Sequence, residues 1–231
     1  NKRKTKLVIH TYLPYFYKNK YKKKIFSIIL REIYKNSGII SVSKTATKGV
    51  EEIISIKNIN LPIVYNLLNY DKLKLNNYFQ IDEPIFFLLT RLDKDKNIKL
   101  SIKLIYYLKN KFNLPNIKLI IFGDGDQKKE LNNLINDNGL STNILLKGFS
   151  NEPFKNLKKN DVFLNFSNFE GWSRLIHECA YLGLRGITFD CPYGPKEILM
   201  NNIDCKIDYP HFISNIYMVD VVKDYNELDL N

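Results

Sequence analysis

The chain has 231 residues, 45% of them hydrophobic, and a formal net charge of +11. That is enough for one large domain or a domain and a half with a packed core, while the lack of any apolar run of roughly 18 residues argues against a membrane-spanning helix. Three cysteines, Cys179, Cys191 and Cys205, show neither metal-ligand spacing nor a disulfide framework, and a reducing compartment fits them.

In chain order, apolar runs of strand length recur at residues 7–10, 38–42, 62–65, 85–89, 117–122, 143–146, 162–166 and 186–189. Between most of them lie segments of helical period at 21–34, 44–55, 97–112, 127–138 and 173–182. Strands alternating with helices predict an α/β fold with a parallel sheet. The runs are nearly continuous Ile, Leu, Val and Phe, as strands covered on both faces require. The stretch 68–83 is polar and rich in Asn and Lys, and a fresh strand follows it. A domain boundary is expected there, dividing the chain into 1–72 and 73–231. Eight of the ten glycines lie between Gly123 and Gly194, where loops at the carboxyl ends of parallel strands would line a ligand crevice.

The basic balance invites a polyanion-binding reading. However, the chain is rich in Lys, Asn, Ile, Tyr and Phe, all with AT-rich codons, so surface lysines need no dedicated function. No nucleic-acid recognition motif occurs, and the arginines are not clustered on one helix. The segment 12–34 interleaves Lys18, Lys20, Lys22, Lys23 and Lys24 with aromatics and an apolar run. It reads either as an ordinary amphipathic helix with a lysine-coated outer face or as a membrane-surface helix.

The residues best suited to chemistry are at 170–178, Glu-Gly-Trp-Ser-Arg-Leu-Ile-His-Glu. The strand 161–166 ends in the loop Ser167-Asn168-Phe169, and a helix is expected from Arg174, with Leu175, Ile176, Cys179 and Ala180 on one apolar face. Such a helix start, formed by Gly171, Trp172, Ser173 and Arg174, presents backbone N–H groups to a ligand above the loop. Glu170 lies beside that spot and Glu178 about one turn inside the helix. This suits a ligand with an anionic middle and hydroxyls at both ends, such as a nucleotide sugar. Of only five arginines, Arg91, Arg174 and Arg185 fall in or next to the segments singled out here. Arginine's rigid donor fork suits phosphate.

The spacing Glu170-x7-Glu178 resembles the signature of the family 4 retaining glycosyltransferases (glycosyl transferases group 1). Thr90-Arg91-Leu92-Asp93-Lys94-Asp95-Lys96-Asn97 is similar to that family's Gly-Arg-Leu-x-x-x-Lys-Asn/Gly segment. Phe122-Gly123-Asp124-Gly125 resembles its Gly-x-Gly turn, and Asp190 to Leu199 its Gly-Pro-x-Glu-Ile-Leu loop. Val42-Ser43-Lys44 followed by Val64-Tyr65-Asn66 resembles the family's run-up from the first domain to the second. Thr90 and the run Leu184-Arg185-Gly186-Ile187 depart from the pattern, and the tail 204–231 is atypical.

The resemblance implies a GT-B-type fold. Residues 73–231 would form the nucleotide-sugar-binding Rossmann-like domain, and 1–72 the end of a first, acceptor-side Rossmann-like domain of which most is missing. It implies that Arg91 and Lys96 bind and stabilise the donor diphosphate as leaving group. Fixed cations help most where charge grows in the transition state. It implies that Glu178 holds the ribose hydroxyls and that Glu170 faces the donor sugar. Phe149, in Lys147-Gly148-Phe149, would lie in the nucleobase-facing loop, and His10, ending the first strand, near the sugar. Each has a plain structural alternative: Lys96 a solvated charge, Glu178 an i, i+4 partner of Arg174, His10 a strand-end residue.

The implied donor is a UDP-sugar, with no cofactor and no divalent metal. The implied product is a surface polysaccharide, lipopolysaccharide or lipid-linked saccharide, made in the cytoplasm or peripherally on the membrane's cytoplasmic face. A different class of reading remains beside the enzyme: a truncated module that binds the nucleotide sugar without transferring it.

Overall fold

The computed structural model describes residues 6–36, 38–75, 84–191, 194–201, 211–213 and 215–219. They form two compact units, each assembled from separate stretches of chain.

The first unit gathers the described residues up to Leu67 together with 170–174 and 194–201. Its strands β1 (Leu7–Ile9) and β2 (Ile39–Ser41) pair in parallel. Helix α1 (Lys20–Lys35) begins where the Asn19 side chain accepts from the Tyr21 and Lys22 amides. Helix α2 (Lys44–Ile54) begins at Ser43, whose side chain accepts from the Ala46 amide, and ends at Ser55 in the left-handed region. Such caps satisfy amides the helix itself leaves unpaired. Ile9, Leu30, Ile39, Ala46, Val50, Ile53 and Ile54 close this unit's core. The short helix α6 (Pro195–Met200) opens on a proline, which fits a first turn whose amides have no helical partner.

The second unit contains 68–169, 175–191 and the described residues 211–219. Its seven-stranded sheet runs in the order β5-β4-β3-β6-β7-β9-β8. The strands are β3 (Phe86–Leu89), β4 (Leu119–Phe122), β5 (Ile144–Gly148), β6 (Val162–Asn165), β7 (Arg185–Phe189), β8 (His211–Ile213) and β9 (Ile216–Val219). All pair in parallel except β8 with β9. Helices α3 (Ile98–Lys111), α4 (Lys128–Asp137) and α5 (Arg174–Tyr181) follow β3, β4 and β6. Ile98, Ile102 and Ile105 of α3 and Leu131 and Ile135 of α4 join the strand side chains in one core. This is the right-handed βαβ logic of parallel sheets.

Three expectations change. Residues 62–65 make only an isolated bridge, Ser41 with Ile63, beside β2, because Pro62 has no amide to donate to a longer ladder. Ala180 is exposed while Leu175, Ile176 and Cys179 are buried, so the apolar stripe of α5 is one residue narrower than its period predicts. The chain also changes units more than once. The passage falls at Leu67/Leu68, and 170–174 and 194–201, counted by sequence with residues 73–231, group with the first unit. The physical reason is close backbone packing: a Cβ on Gly171 would lie 2.4 Å from the His10 carbonyl oxygen. Sequence periodicity also misses α6, β8 and β9. Cys205, Pro192 and Tyr193 lie outside the described residues.

Candidate functional site

In the second unit, β3 is flanked by β4 on one side and β6 on the other. Successive strands therefore depart in opposite directions from β3, and the carboxyl ends of β3 and β6 form the topological switch point, where open α/β sheets bind ligands. The loop after β3 carries Thr90 to Asn97. Its backbone is held along the turn after β4. The Thr90 amide donates to the Phe122 carbonyl at 3.0 Å, Leu92 to Asp124 at 3.0 Å, and Gln127 to Leu92 at 3.0 Å. Gly123 has φ +134°, and a Cβ there would lie 1.8 Å from the Thr90 carbonyl oxygen. Only glycine fits, so Gly-x-Gly is a packing requirement of the loop that carries Arg91.

Arg91 stands near the start of that loop with its side chain 81% exposed, and its guanidinium meets Asp93 Oδ2 at 3.2 Å. Lys96 ends a short 3₁₀ turn, Lys94–Lys96, that the Asp93 side chain caps. Asn97 follows in the left-handed region, with φ 49°. Its amide Nδ2 donates to the Phe166 carbonyl at 2.9 Å and to Asn168 Oδ1 at 2.6 Å, and Asn168 Nδ2 donates back to Asn97 Oδ1 at 3.3 Å. The Asn168 backbone amide donates to the Asp95 carbonyl at 2.8 Å. Four hydrogen bonds thus lock the loop after β3 to the loop after β6. Below them, buried Ser167 donates to Asn165 Oδ1 at 3.0 Å and Asn165 Nδ2 to Thr188 Oγ1 at 3.2 Å, so the carboxyl ends of β6 and β7 are fixed as well.

Glu178 is half-buried on α5. Beside it, burial pushes the Cys179 thiol well up, with the Glu178 charge adding to the effect. Cys179 is thus an inert core thiol. Burial lowers the His177 pKa. Phe149 follows Gly148, at φ 78°, and is 77% exposed. Arg185 does not join these residues. It opens β7 at the amino end of the strand, and its guanidinium donates to the Asn160 carbonyl at 2.9 Å. The parallel sheet puts it at the opposite end from the loops after β3 and β6.

In the first unit, His10 is exposed at the end of β1, and its carbonyl packs on Gly171. Ser43 Oγ donates to the Gly171 carbonyl at 3.2 Å. The Trp172 ring lies 4.8 Å from the Tyr65 ring, Ser173 is buried and Arg174 exposed. Glu197 is 3% exposed and accepts from the Lys44 and Thr45 amides at 2.6 and 3.0 Å. The Tyr65 pKa is raised by burial and by the Glu197 carboxylate that its hydroxyl faces.

The structure therefore divides the sequence candidates. It brings His10, Gly171, Trp172, Ser173 and Arg174 together with Glu170 in the first unit, and gathers Arg91 and Lys96 at the switch point of the second, the unit that also holds Phe149 and Glu178. Sequence reasoning missed the parts played by Asn97, Asn168, Ser43, Tyr65 and Glu197. A glutamate one turn into a Gly-Pro helix start, followed by Ile198-Leu199, was a readable signal for a buried acid. Among the described residues no three His, Cys, Asp or Glu side chains cluster as metal ligands, and no helix is long and apolar enough to cross a membrane.

The second unit is an open α/β sheet with its switch point under a cation-bearing loop, and Glu170 and Glu178, eight positions apart, stand before and within α5. The family model for glycosyl transferases group 1 matches residues 71–206, and the chain belongs to that family. It is 35% identical over 210 residues to a glycosyltransferase of Methanocaldococcus jannaschii, covering 85% of this chain and 51% of that protein. It is 28% identical over 201 residues to the Campylobacter jejuni N-acetylgalactosamine-N,N'-diacetylbacillosaminyl-diphospho-undecaprenol 4-alpha-N-acetylgalactosaminyltransferase, covering 84% of this chain and 54% of that protein. Among solved structures it resembles a Staphylococcus aureus TarM variant in complex with Fondaparinux, alpha-GlcNAc-glycerol and UDP. The TM-score is 0.68 at 22% identity, over 96% of this chain and 41% of that one. The chain thus spans about half the length of the curated relatives it matches.

Proposed function

We propose that this chain is the donor-binding part of a retaining glycosyltransferase that moves a hexose or N-acetylhexosamine from a UDP-sugar to a saccharide or lipid-linked acceptor in surface-glycan synthesis on the cytoplasmic side. The observation that carries this reading is Arg91: a rare arginine with an exposed side chain, just after β3, on a loop whose backbone is fixed on both sides at the switch point. Breaking the glycosidic C–O bond leaves growing negative charge on the diphosphate, and a cation on a rigid loop stabilises it without reorganising. Lys96 adds a second positive charge. Glu178 accepts the ribose hydroxyls, Phe149 offers a face to the base, and Glu170 and His10 act on the sugar side. In this proposal these cations replace a divalent metal. The reading is supported by UDP in the TarM structure and by the diphospho-undecaprenol acceptor in the Campylobacter relative's name.

The exposed Tyr21, Ile25, Ile28 and Ile29 of α1, among its lysines, support a peripheral contact of the enzyme with anionic lipid. The second reading is a module that binds the nucleotide sugar without transferring it.

Calorimetry with UDP and UDP-N-acetylhexosamine tests the proposal. Binding is expected, and Glu178→Ala should weaken it by about 1–3 kcal/mol, the loss of a buried acceptor, while Glu170→Ala leaves UDP binding nearly intact. No heat at millimolar ligand would overturn donor binding. Heat without turnover of a UDP-sugar by the chain would favour the module.

A further inference from the structure

Glu197 is a charged side chain almost wholly enclosed in the first unit, and nothing assigned so far uses it. A buried carboxylate is costly unless its oxygens are satisfied. Here one oxygen accepts the Lys44 amide at 2.6 Å and the other the Thr45 amide at 3.0 Å. Both donors belong to the first turn of α2, whose positive dipole end favours an anion. The Tyr65 hydroxyl faces the same carboxylate, and the Tyr65 ring lies against Trp172. The residue before that first turn, Ser43, uses its hydroxyl twice: it accepts from the Ala46 amide at 2.9 Å and donates to the Gly171 carbonyl at 3.2 Å. Gly194, just before α6, packs on Glu170, where a Cβ would lie 2.8 Å from the Glu170 Cβ. Ser43, Tyr65 and Gly194 thus link Glu197 and its α6 segment to 170–172, alongside the backbone of His10 and Thr11 that packs on Gly171.

We propose that Glu197 is a positioning residue for the acidic signature: its carboxylate fixes the first turn of α2 and Tyr65, and through Ser43 and Tyr65 it sets where Gly171 and Trp172, and hence Glu170, stand. This rests on the reading of Glu170 and Trp172 as donor-site residues for its functional meaning, but not for its test. A cap alone would stabilise α2 and leave Trp172 unmoved. A positioning role moves both.

The chain has one tryptophan, so fluorescence excited at the red edge of the indole band, where tyrosine does not absorb, reports on Trp172 alone. Glu197→Gln keeps the side chain's size but replaces one acceptor oxygen with a donor, which cannot serve the second amide. The expected result is a folded protein by circular dichroism, with the Trp172 emission shifted to the red and more readily quenched by acrylamide. Tyr65→Phe keeps the ring contact and loses the hydroxyl, and should shift the emission less, in the same direction. Ile53→Val, about two turns further along α2 in the same core, should lower Tm without moving the emission.

Trp172 emission and quenching unchanged in a folded Glu197→Gln would overturn the proposal. So would an equal shift in Ile53→Val, which would make the effect a general loosening. If Glu197→Gln does not fold, Tyr65→Phe decides: an unshifted emission there overturns it. Titrating UDP into the unmodified chain separates the two claims. No UDP response removes the donor reading, while the comparison of emissions still decides the role of Glu197.

Discussion

The stretch 170–174 in the first unit and the loop 90–97 in the second carry most of the candidate chemistry, and they are built in opposite ways. The first is enclosed: Gly171 lies against a backbone carbonyl, Trp172 against a ring, and Ser173 is buried. The second is a fixed backbone with an exposed arginine side chain. The reciprocal Asn97–Asn168 bonds and the Gly123 contact hold its main chain, while Arg91 reaches solvent with one surface ion pair. Exposed pairs of that kind contribute roughly 0–1 kcal/mol to stability. The difference separates what each stretch is for. The enclosed one owes its geometry to the protein. The open one leaves its arginine side chain in solvent.

The largest effect should come from the enclosed stretch. Gly171→Ala places a methyl 2.4 Å from the His10 carbonyl oxygen, and overpacking at backbone should cost about 3 kcal/mol of folding stability, read by urea unfolding. A loss within error would mean that this stretch is not enclosed. Next, Arg91→Ala should leave stability within about 0.5 kcal/mol, as surface substitutions do. It should weaken UDP more than uridine by about 1.5–3 kcal/mol, the worth of a hydrogen bond to a charged group. Arg91→Lys should restore part of this, since the fork is lost. Equal losses for UDP and uridine would show the loop collapsing instead of a contact vanishing.

The smallest effect is electrostatic. Burial lowers the His177 pKa below its ordinary value of 6.5, so the unfolded chain takes up the proton first as pH falls. The stability this neutral histidine contributes is present above about pH 6.5 and is lost below it, towards the folded pKa. His177→Gln should flatten that part of the stability–pH curve, and an unchanged slope would remove the histidine from the account.

Much of this was legible in the sequence because parallel strands are short apolar runs and helices keep their period. The helices expected at 21–34, 44–55, 97–112 and 127–138 all formed within a few residues of those bounds. So did the core thiol at Cys179. What stayed hidden was long-range. That residue 171 meets residue 10, or that residue 197 caps a helix starting at 44, follows from tertiary packing with no local period to announce it. Asn97 and Asn168 are ordinary loop residues until the switch point sets them face to face. Arg185 misled for the same reason: its rarity was visible, but the end of the sheet it occupies depends on the strand's direction.

The Glu197 cap on α2 has a consequence in time. Its partners, Lys44 and Thr45, lie 153 and 152 residues earlier in the chain. At a synthesis rate of about 5–20 residues per second, roughly eight to thirty seconds separate their emergence from the ribosome. Through that interval the start of α2 has its Ser43 cap but not the Glu197 carboxylate, and the first unit waits on residues still being translated. Its last closure follows the second unit's strands β3 to β7, so the earlier part of the chain is completed by the later one.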